Sequence, residues 1–463
     1  MRGTGCVLSE TPAPIRPRVA LAAFGRPTFD LRAGEAVLAR SRDAVAALPV
    51  ELAAAPPGLL TDPAAATAFG RRCAEAAPDL LVCQLTTFVD ARLPVALADV
   101  LPAGVPVLLW ALREPGGVGS RLSLNSLTGC NLAGHELSRR GRFFRFVLGD
   151  PGDARVGQRI AALARAAAAR SWLRGFAVLV LGAAPDGFFF SSPSPEAAAA
   201  LGLRIERLSL DDLFAALPAV PDGAWRGVVD GVRGQVAGLD ALPPAQVERF
   251  GRLQAVVERE VAVRGAAAVA VRCWPEFFTG LGAAACSFVS ALNERGVAAS
   301  CEADVLGALT MGLLGRLAGT PPYLGDLAAC DEERDAAVFW HCGAGAFSLA
   351  APSAGARAGV HPNRGLGFTL EFALRPGRVT LARLGEGPGG LRLLLGEGEA
   401  LDAPQRFLGT AATVRLDGPG PIGDRVARLV EGGWEPHYAL AYGDVAAEMK
   451  DVAALLGLPV TAM

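Results

Sequence analysis

Residues 296–326 read GVAASCEADVLGALTMGLLGRLAGTPPYLGD. The run GVAAS predicts a short strand of small residues. After it, Val305, Leu309 and Leu313 recur at four-residue steps, the spacing of one helix face. A strand that passes directly into a helix is the unit of an open α/β sheet, and Glu302 falls at the junction, where such sheets bind ligands outside the carboxyl ends of their strands. Asp326 stands 24 residues further on, past a Pro-Pro turn that could fold it back towards the glutamate. Two carboxylates brought together in a low-dielectric interior repel each other and call for a cation or a shared proton.

The same texture extends towards the N-terminus. VALAAF (19–24), DLLVCQ (79–84), PVLLW (106–110), FRFVLG (144–149), FAVLVLG (176–182), LRIERLSL (203–210) and AAVAVRC (267–273) read as strands separated by alanine-rich helices. That alternation predicts mostly parallel sheets with helices on both faces. A helix over 158–170 divides the region into two α/β domains, 1–170 and 171–330. From about Asp331 the pattern changes. AVFWHC, AFSLA, GFTLEFAL, RVTLARL, LRLLLGEG and AATVRL follow in quick succession with Gly and Pro turns, which predicts an antiparallel barrel or sandwich over 331–463. The charge-free stretch 277–293 reads as one buried helix.

Composition narrows the functional classes. The 463 residues are 51% hydrophobic and 19% charged with a net charge of −2, a globular, enzyme-like profile with no electrostatic case for nucleic acid or an anionic membrane. Lys450 is the single lysine, so a Schiff base or phosphate-loop lysine would have to be that residue. Nine cysteines without a C-x-x-C pair read as reduced, buried thiols, Cys301 and Cys342 among them, and not as a zinc site. The opening MRGTGCVLSETPAPIRPR has no apolar core of signal-peptide length, which points to the cytoplasm. Gly418, Gly420 and Gly423 match a dinucleotide-binding spacing, but Pro419 and Pro421 remove backbone donors that a pyrophosphate would need.

Four histidines are present, at 135, 341, 361 and 437. His437 lies in GGWEPHYALAYGD, which reads as a loop. Together Glu302, Asp326 and His437 would offer two hard oxygens and one imidazole, a set suited to octahedral Mn²⁺, Co²⁺ or Mg²⁺. His135 and His361 read as structural or loop residues.

The segment SCEADVLGALTMGLLGRLAGTPPYLGD resembles the metal-binding segment of the L-fucose/L-arabinose isomerase family. FGRPTFDLR (24–32), VRCWPEF (271–277), VFWHCGAG (338–345) and GRVTLARLGE (377–386) are similar, in the same order, to other segments of its fucose-isomerase-like members. The resemblance implies two Rossmann-like α/β domains followed by a C-terminal antiparallel β-barrel-type domain. It implies a ketol-isomerase acting on a deoxy sugar or pentose through an enediol, with Glu302, Asp326 and His437 as metal ligands and the two carboxylates as acid–base catalysts. Arg26 would contact sugar in a neighbouring subunit's site, which implies a homo-oligomer, trimer or hexamer. Trp274 and His341 would line the pocket. A carbohydrate-binding or regulatory relative, or a metal-dependent lyase or epimerase, is the alternative.

Overall fold

A computed structural model describes residues 15–463. The first 14 residues, most of the segment behind the expectation about the compartment, lie outside the described residues. The fold is mixed α/β, with parallel Rossmann-like sheets followed by an antiparallel β-barrel. Two compact units form: Ile15–Trp172 with Ala454–Leu456, and Leu173–Ala453 with Gly457–Met463.

In the first unit, β1 (Arg18–Phe24), β2 (Glu51–Ala54), β3 (Leu80–Leu85), β4 (Val107–Ala111) and β5 (Phe144–Leu148) form a parallel sheet in the order β2-β1-β3-β4-β5. Period-two alternation explains why both faces are covered. Val19, Leu21 and Ala23 of β1 enter one apolar cluster, and Ala20, Ala22 and Phe24 enter the opposite one. Arg26 follows β1 in an exposed turn, its guanidinium 5.7 Å from the Phe88 ring centre. Asp30 does not pair with it there, but caps the next helix by accepting from the Ala33 N–H at 2.9 Å.

The second unit begins with β6 (Ala177–Leu181), β7 (Arg204–Leu208), β8 (Val236–Ala237), β9 (Ala268–Val271) and β10 (Ala298–Ser300). Four of these make a parallel sheet in the order β10-β9-β6-β7. The edge strand β10 is only three residues long, and the buried Asn293 side chain acts as a surrogate partner: it accepts from the Ala299 N–H at 2.8 Å and donates to the Ala299 carbonyl at 3.0 Å. This fixes the strand that delivers Glu302.

Beyond it run β11 (Tyr323–Asp331), β12 (Ala336–His341), β13 (Ala356–Val360), β14 (Gly367–Ala373), β15 (Gly377–Gly387), β16 (Gly390–Ala400), β17 (Thr410–Leu416), β18 (His437–Tyr442) and β19 (Val460–Ala462). Antiparallel pairing takes β16 to β15, β18, β11, β12, β17 and back to β16, so six strands close into a barrel. Closure leaves those strands no free edge. β13 and β14 extend the sheet from β17, with β8 pairing beside β13.

Between the parallel sheet and the barrel lies the helix Val305–Ala318, which contacts β9 and β10 as well as β15 and β18. Ten of its 14 residues are buried, which is why it is apolar almost all round and not on one stripe. It starts at Asp304, whose side chain accepts from the Gly307 N–H at 2.8 Å, and ends at Gly319 in the left-handed conformation with φ 68°.

Three sequence expectations differ from what is observed. The stretch 277–293 is not one helix: a wide turn over Phe277–Leu281 stops at Gly282, φ 65°, and a separate helix runs over Cys286–Glu294. Glycine takes that left-handed conformation without a steric penalty, so it breaks the run where periodicity alone would continue it. AFSLA holds a 3₁₀ turn, Phe347–Leu349, because its N–H groups bond within the segment, Leu349 to Ala346 and Ala350 to Phe347. His437 is no loop residue but the first residue of β18, despite the Gly-Gly turn before it. Among the described residues no helix is long and apolar enough to cross a membrane.

Candidate active site

Glu302 emerges just after β10, as its place in the sequence predicts. Both it and Ala303 have positive φ, 49° and 57°. Non-glycine residues held there cost about 1–3 kcal/mol each, a strain that collects at functional sites. The turn is held by the Ala303 N–H to the Val271 carbonyl at 2.9 Å, and by the Ser300 hydroxyl, which donates to the Asp304 carbonyl at 2.7 Å. The bend points Glu302 at residues after β9: the Trp274 indole N–H donates to Oε1 at 3.3 Å, and Cys273 Sγ lies 3.6 Å from the same oxygen. One carboxylate oxygen is thereby oriented and the other left available.

The barrel supplies the remaining groups. Register places Asp326 of β11 directly opposite His437 of β18 on one side and Trp340 of β12 on the other. Oδ1 of Asp326 lies 3.5 Å from Nε2 of His437, and Nε2 lies 3.3 Å from Oε2 of Glu302. His341, last in β12, faces the same oxygen with its Nε2 at 3.8 Å. Single donor atoms of Glu302, His341 and His437 all fall within 4.8 Å of one another. Of the sequence candidates, Glu302, Asp326, His437, His341 and Trp274 therefore converge, whereas Arg26 belongs to the other compact unit.

Sequence reasoning missed Asp304, Arg383 and Glu435. Asp304, two residues after Glu302, is fully buried and meets His437 Nδ1 at 2.8 Å. Its two oxygens also receive the Arg383 guanidinium, and Arg383 in turn approaches Glu435 at 3.7 Å. Such a carboxylate fixes the imidazole orientation and keeps Nδ1 as the proton-bearing nitrogen, turning Nε2 towards Glu302 and Asp326. The only signal in the sequence was the acidic spacing of SCEAD, since β15 and its Arg383 lie 79 residues away.

Electrostatics follow from this network. Burial would raise the Glu302 pKa, but His437 and His341 beside it hold it down to about 2. Burial likewise opposes charge on Asp304, and the Arg383 cation outweighs it, again giving about 2. For His437 burial disfavours the imidazolium, while Asp304 and Glu302 raise its pKa to about 10. Each buried charge thus has an opposite one in contact, as a stable interior requires.

One cavity of about 200 Å³ opens on Glu302 and His341, walled also by Trp274, Phe278, His361 and Arg364 among others. Phe190 packs edge-on against His437, ring centres 5.2 Å apart.

A parallel sheet delivering a carboxylate to a barrel that presents a second carboxylate and two imidazoles, beside a small-molecule cavity, is the equipment of a sugar aldose–ketose isomerase. The chain is 43% identical over 385 residues to a sulfoquinovose isomerase from Alkalicoccus urumqiensis, covering 83% of this chain and 86% of that protein. It is 40% identical over 382 residues to one from Priestia megaterium, covering 82% and 84%. A third, from Clostridium sp. strain MSTE9, is 34% identical over 448 residues, covering 95% and 98%. No protein-family model matches the chain. The chain belongs to the sulfoquinovose isomerase family. It is an isomerase of carbohydrate metabolism acting on a sugar, which decides against the binding-protein and lyase alternatives.

Proposed function

We propose that this isomerase is metal-dependent, that Glu302, Asp326 and His437 hold its cation, and that sulfoquinovose, a glucose whose C6 carries a sulfonate in place of the hydroxyl, is its substrate. The substrate follows from the names of three relatives that match over most of their length. The observation that carries the metal is a pair of buried atoms: Glu302 Oε2 makes no hydrogen bond and has only its ion-pair contact with His437, and His341 Nε2 has no hydrogen-bond partner among the described residues, although each is shielded from water. Leaving such groups unsatisfied costs about 1–3 kcal/mol apiece, more for a charged one, and a bound ion with its substrate would remove that cost. Two oxygens and an imidazole suit Mn²⁺ best, with Co²⁺ or Mg²⁺ as substitutes.

When bound, a divalent cation supplies Lewis-acid polarisation of the carbonyl beside the C–H bond that must break. The residues do the rest. Asp304 holds one His437 proton on Nδ1; the second, which the raised pKa keeps on Nε2 in the metal-free site, would be displaced when Nε2 becomes a ligand. Trp274 orients Glu302 through Oε1 and leaves Oε2 for substrate. Glu302 and Asp326 approach from different elements, β10 and β11, and as positioned bases they can remove the proton from one carbon and return it to its neighbour. Each contributes on the order of 10²–10⁴-fold. His341 offers its free Nε2 to a sugar hydroxyl.

The reading extends to a cytoplasmic homo-oligomer, fucose-isomerase-like in organisation, in which Arg26 reaches the site of a second copy. The GRPT segment at 25–28 and the exposure of Arg26 support it.

An NMR time course in D₂O tests the proposal. With Mn²⁺ present, sulfoquinovose is expected to give its ketose with deuterium at the reacting carbons, and EDTA dialysis should abolish turnover until Mn²⁺, Co²⁺ or Mg²⁺ is returned. Undiminished turnover after exhaustive chelation would rule out the metal.

A further inference from the structure

A sulfonate is a permanent anion, and Glu302, the one carboxylate that lines the cavity, is already matched by His437, so nothing at the buried end is left over to neutralise a second negative charge. A sulfonated sugar therefore needs a cation of its own at the end away from the reacting carbons. Arg364 is the one arginine among the residues that line this cavity. It forms no ion pair with any carboxylate among the described residues, whereas Arg272, nearby on β9's outgoing loop, is already committed to Glu276 at 2.8 Å. The Arg364 guanidinium rests over the Phe278 ring, 5.8 Å from its centre. Phe278 also packs edge-on against His361 at 4.9 Å, so the ring seats both side chains on one wall.

The turn that carries them is tight. The Arg364 and Gly365 N–H groups both donate to the His361 carbonyl, and the His361 N–H donates to Leu366. The Asn363 N–H meets His361 Nδ1 at 3.3 Å, which makes Nδ1 the acceptor and leaves the proton of the neutral ring on Nε2. Burial keeps that ring neutral, with its pKa lowered to about 4. Arg364, the Asn363 side-chain amide and His361 Nε2–H are thus three donors, none of them hydrogen-bonded to a carboxylate among the described residues. Arg364 and Asn363 are exposed at the rim, while His341 is buried at the inner end.

We infer that the His361–Arg364 turn is the sulfonate subsite, with Arg364 as the residue that selects a C6-sulfonated sugar over a neutral one while its carbonyl end lies against Glu302. Three donors match the three acceptor oxygens of a sulfonate, and the guanidinium fork can engage two of them at once. This inference rests on the sulfoquinovose reading above.

The test compares kcat/KM for sulfoquinovose with that for 6-deoxyglucose, its neutral counterpart, in the wild-type enzyme, Arg364→Ala and Arg364→Lys. Arg364→Ala is expected to lower the ratio of the two constants about 10- to 100-fold, mainly through KM for sulfoquinovose, and Arg364→Lys to recover part of it. If the wild type turns over sulfoquinovose and Arg364→Ala leaves the ratio within twofold, the subsite is overturned and the substrate reading stands. If the wild type does not turn it over, that reading fails, and calorimetric titration with sulfoquinovose then decides the subsite separately. Binding at least tenfold weaker in Arg364→Ala upholds it; equal binding, or none to either protein, overturns it.

Discussion

Glu302→Gln is expected to lower kcat by about 10³-fold or more, with little change in the far-ultraviolet circular dichroism. The substitution is nearly isosteric. A glutamine oxygen can still accept from the Trp274 indole N–H, so the positive-φ turn after β10 keeps its anchor. What disappears is the charge at Oε2, the buried oxygen that faces both His437 and His341. Under the proposed mechanism the enzyme would lose both a metal ligand and an acid–base group, two losses that act as one unit. Retention of more than a tenth of wild-type kcat would place the chemistry elsewhere.

Arg383→Met is expected to have the largest effect on stability, about 3–5 kcal/mol, because it removes one partner of a buried ion pair and leaves the others behind. Arg383 and Asp304 are both fully buried, and Glu435 is nearly so. Methionine would fill much of the volume but could not replace the guanidinium against Asp304 and Glu435, leaving His437 to balance Asp304 alone. Thermal unfolding followed by calorimetry should show a fall in Tm of several degrees. The surviving folded protein should also lose kcat, since Asp304 would no longer be fixed against His437. A variant with wild-type Tm would show that the pair contributes nothing to the native state.

How far the sequence revealed this molecule varies with the range of the interactions involved. β1 was legible because Val19 to Phe24 is a continuous apolar run, which a strand buried on both faces requires. The central helix was legible from the repeat of Val305, Leu309 and Leu313. Phe277–Asn293 was misread because the periodicity of a short apolar run cannot register one glycine's left-handed turn at 282. His437 was misread as a loop residue because the turn GGWEP dominates its neighbourhood, whereas its strand character comes from pairing with β11, more than a hundred residues earlier. Convergence of Glu302, Asp326 and His437 was implied by the resemblance to fucose-isomerase-like segments, with which their donor chemistry is consistent. Asp304 could not be anticipated: its role depends on Arg383 in β15 and on the register that brings β18 beside the central helix, long-range facts with no local signature.

The account's central claim is that Glu302, Asp326 and His437 together grip one divalent cation. Anomalous diffraction from crystals grown with Mn²⁺ tests this most directly. The account predicts a single strong manganese peak in contact with the Glu302 and Asp326 carboxylates and Nε2 of His437. A protein active in the same Mn²⁺ buffer whose map is empty at that position, or whose peak lies on other residues, would contradict it.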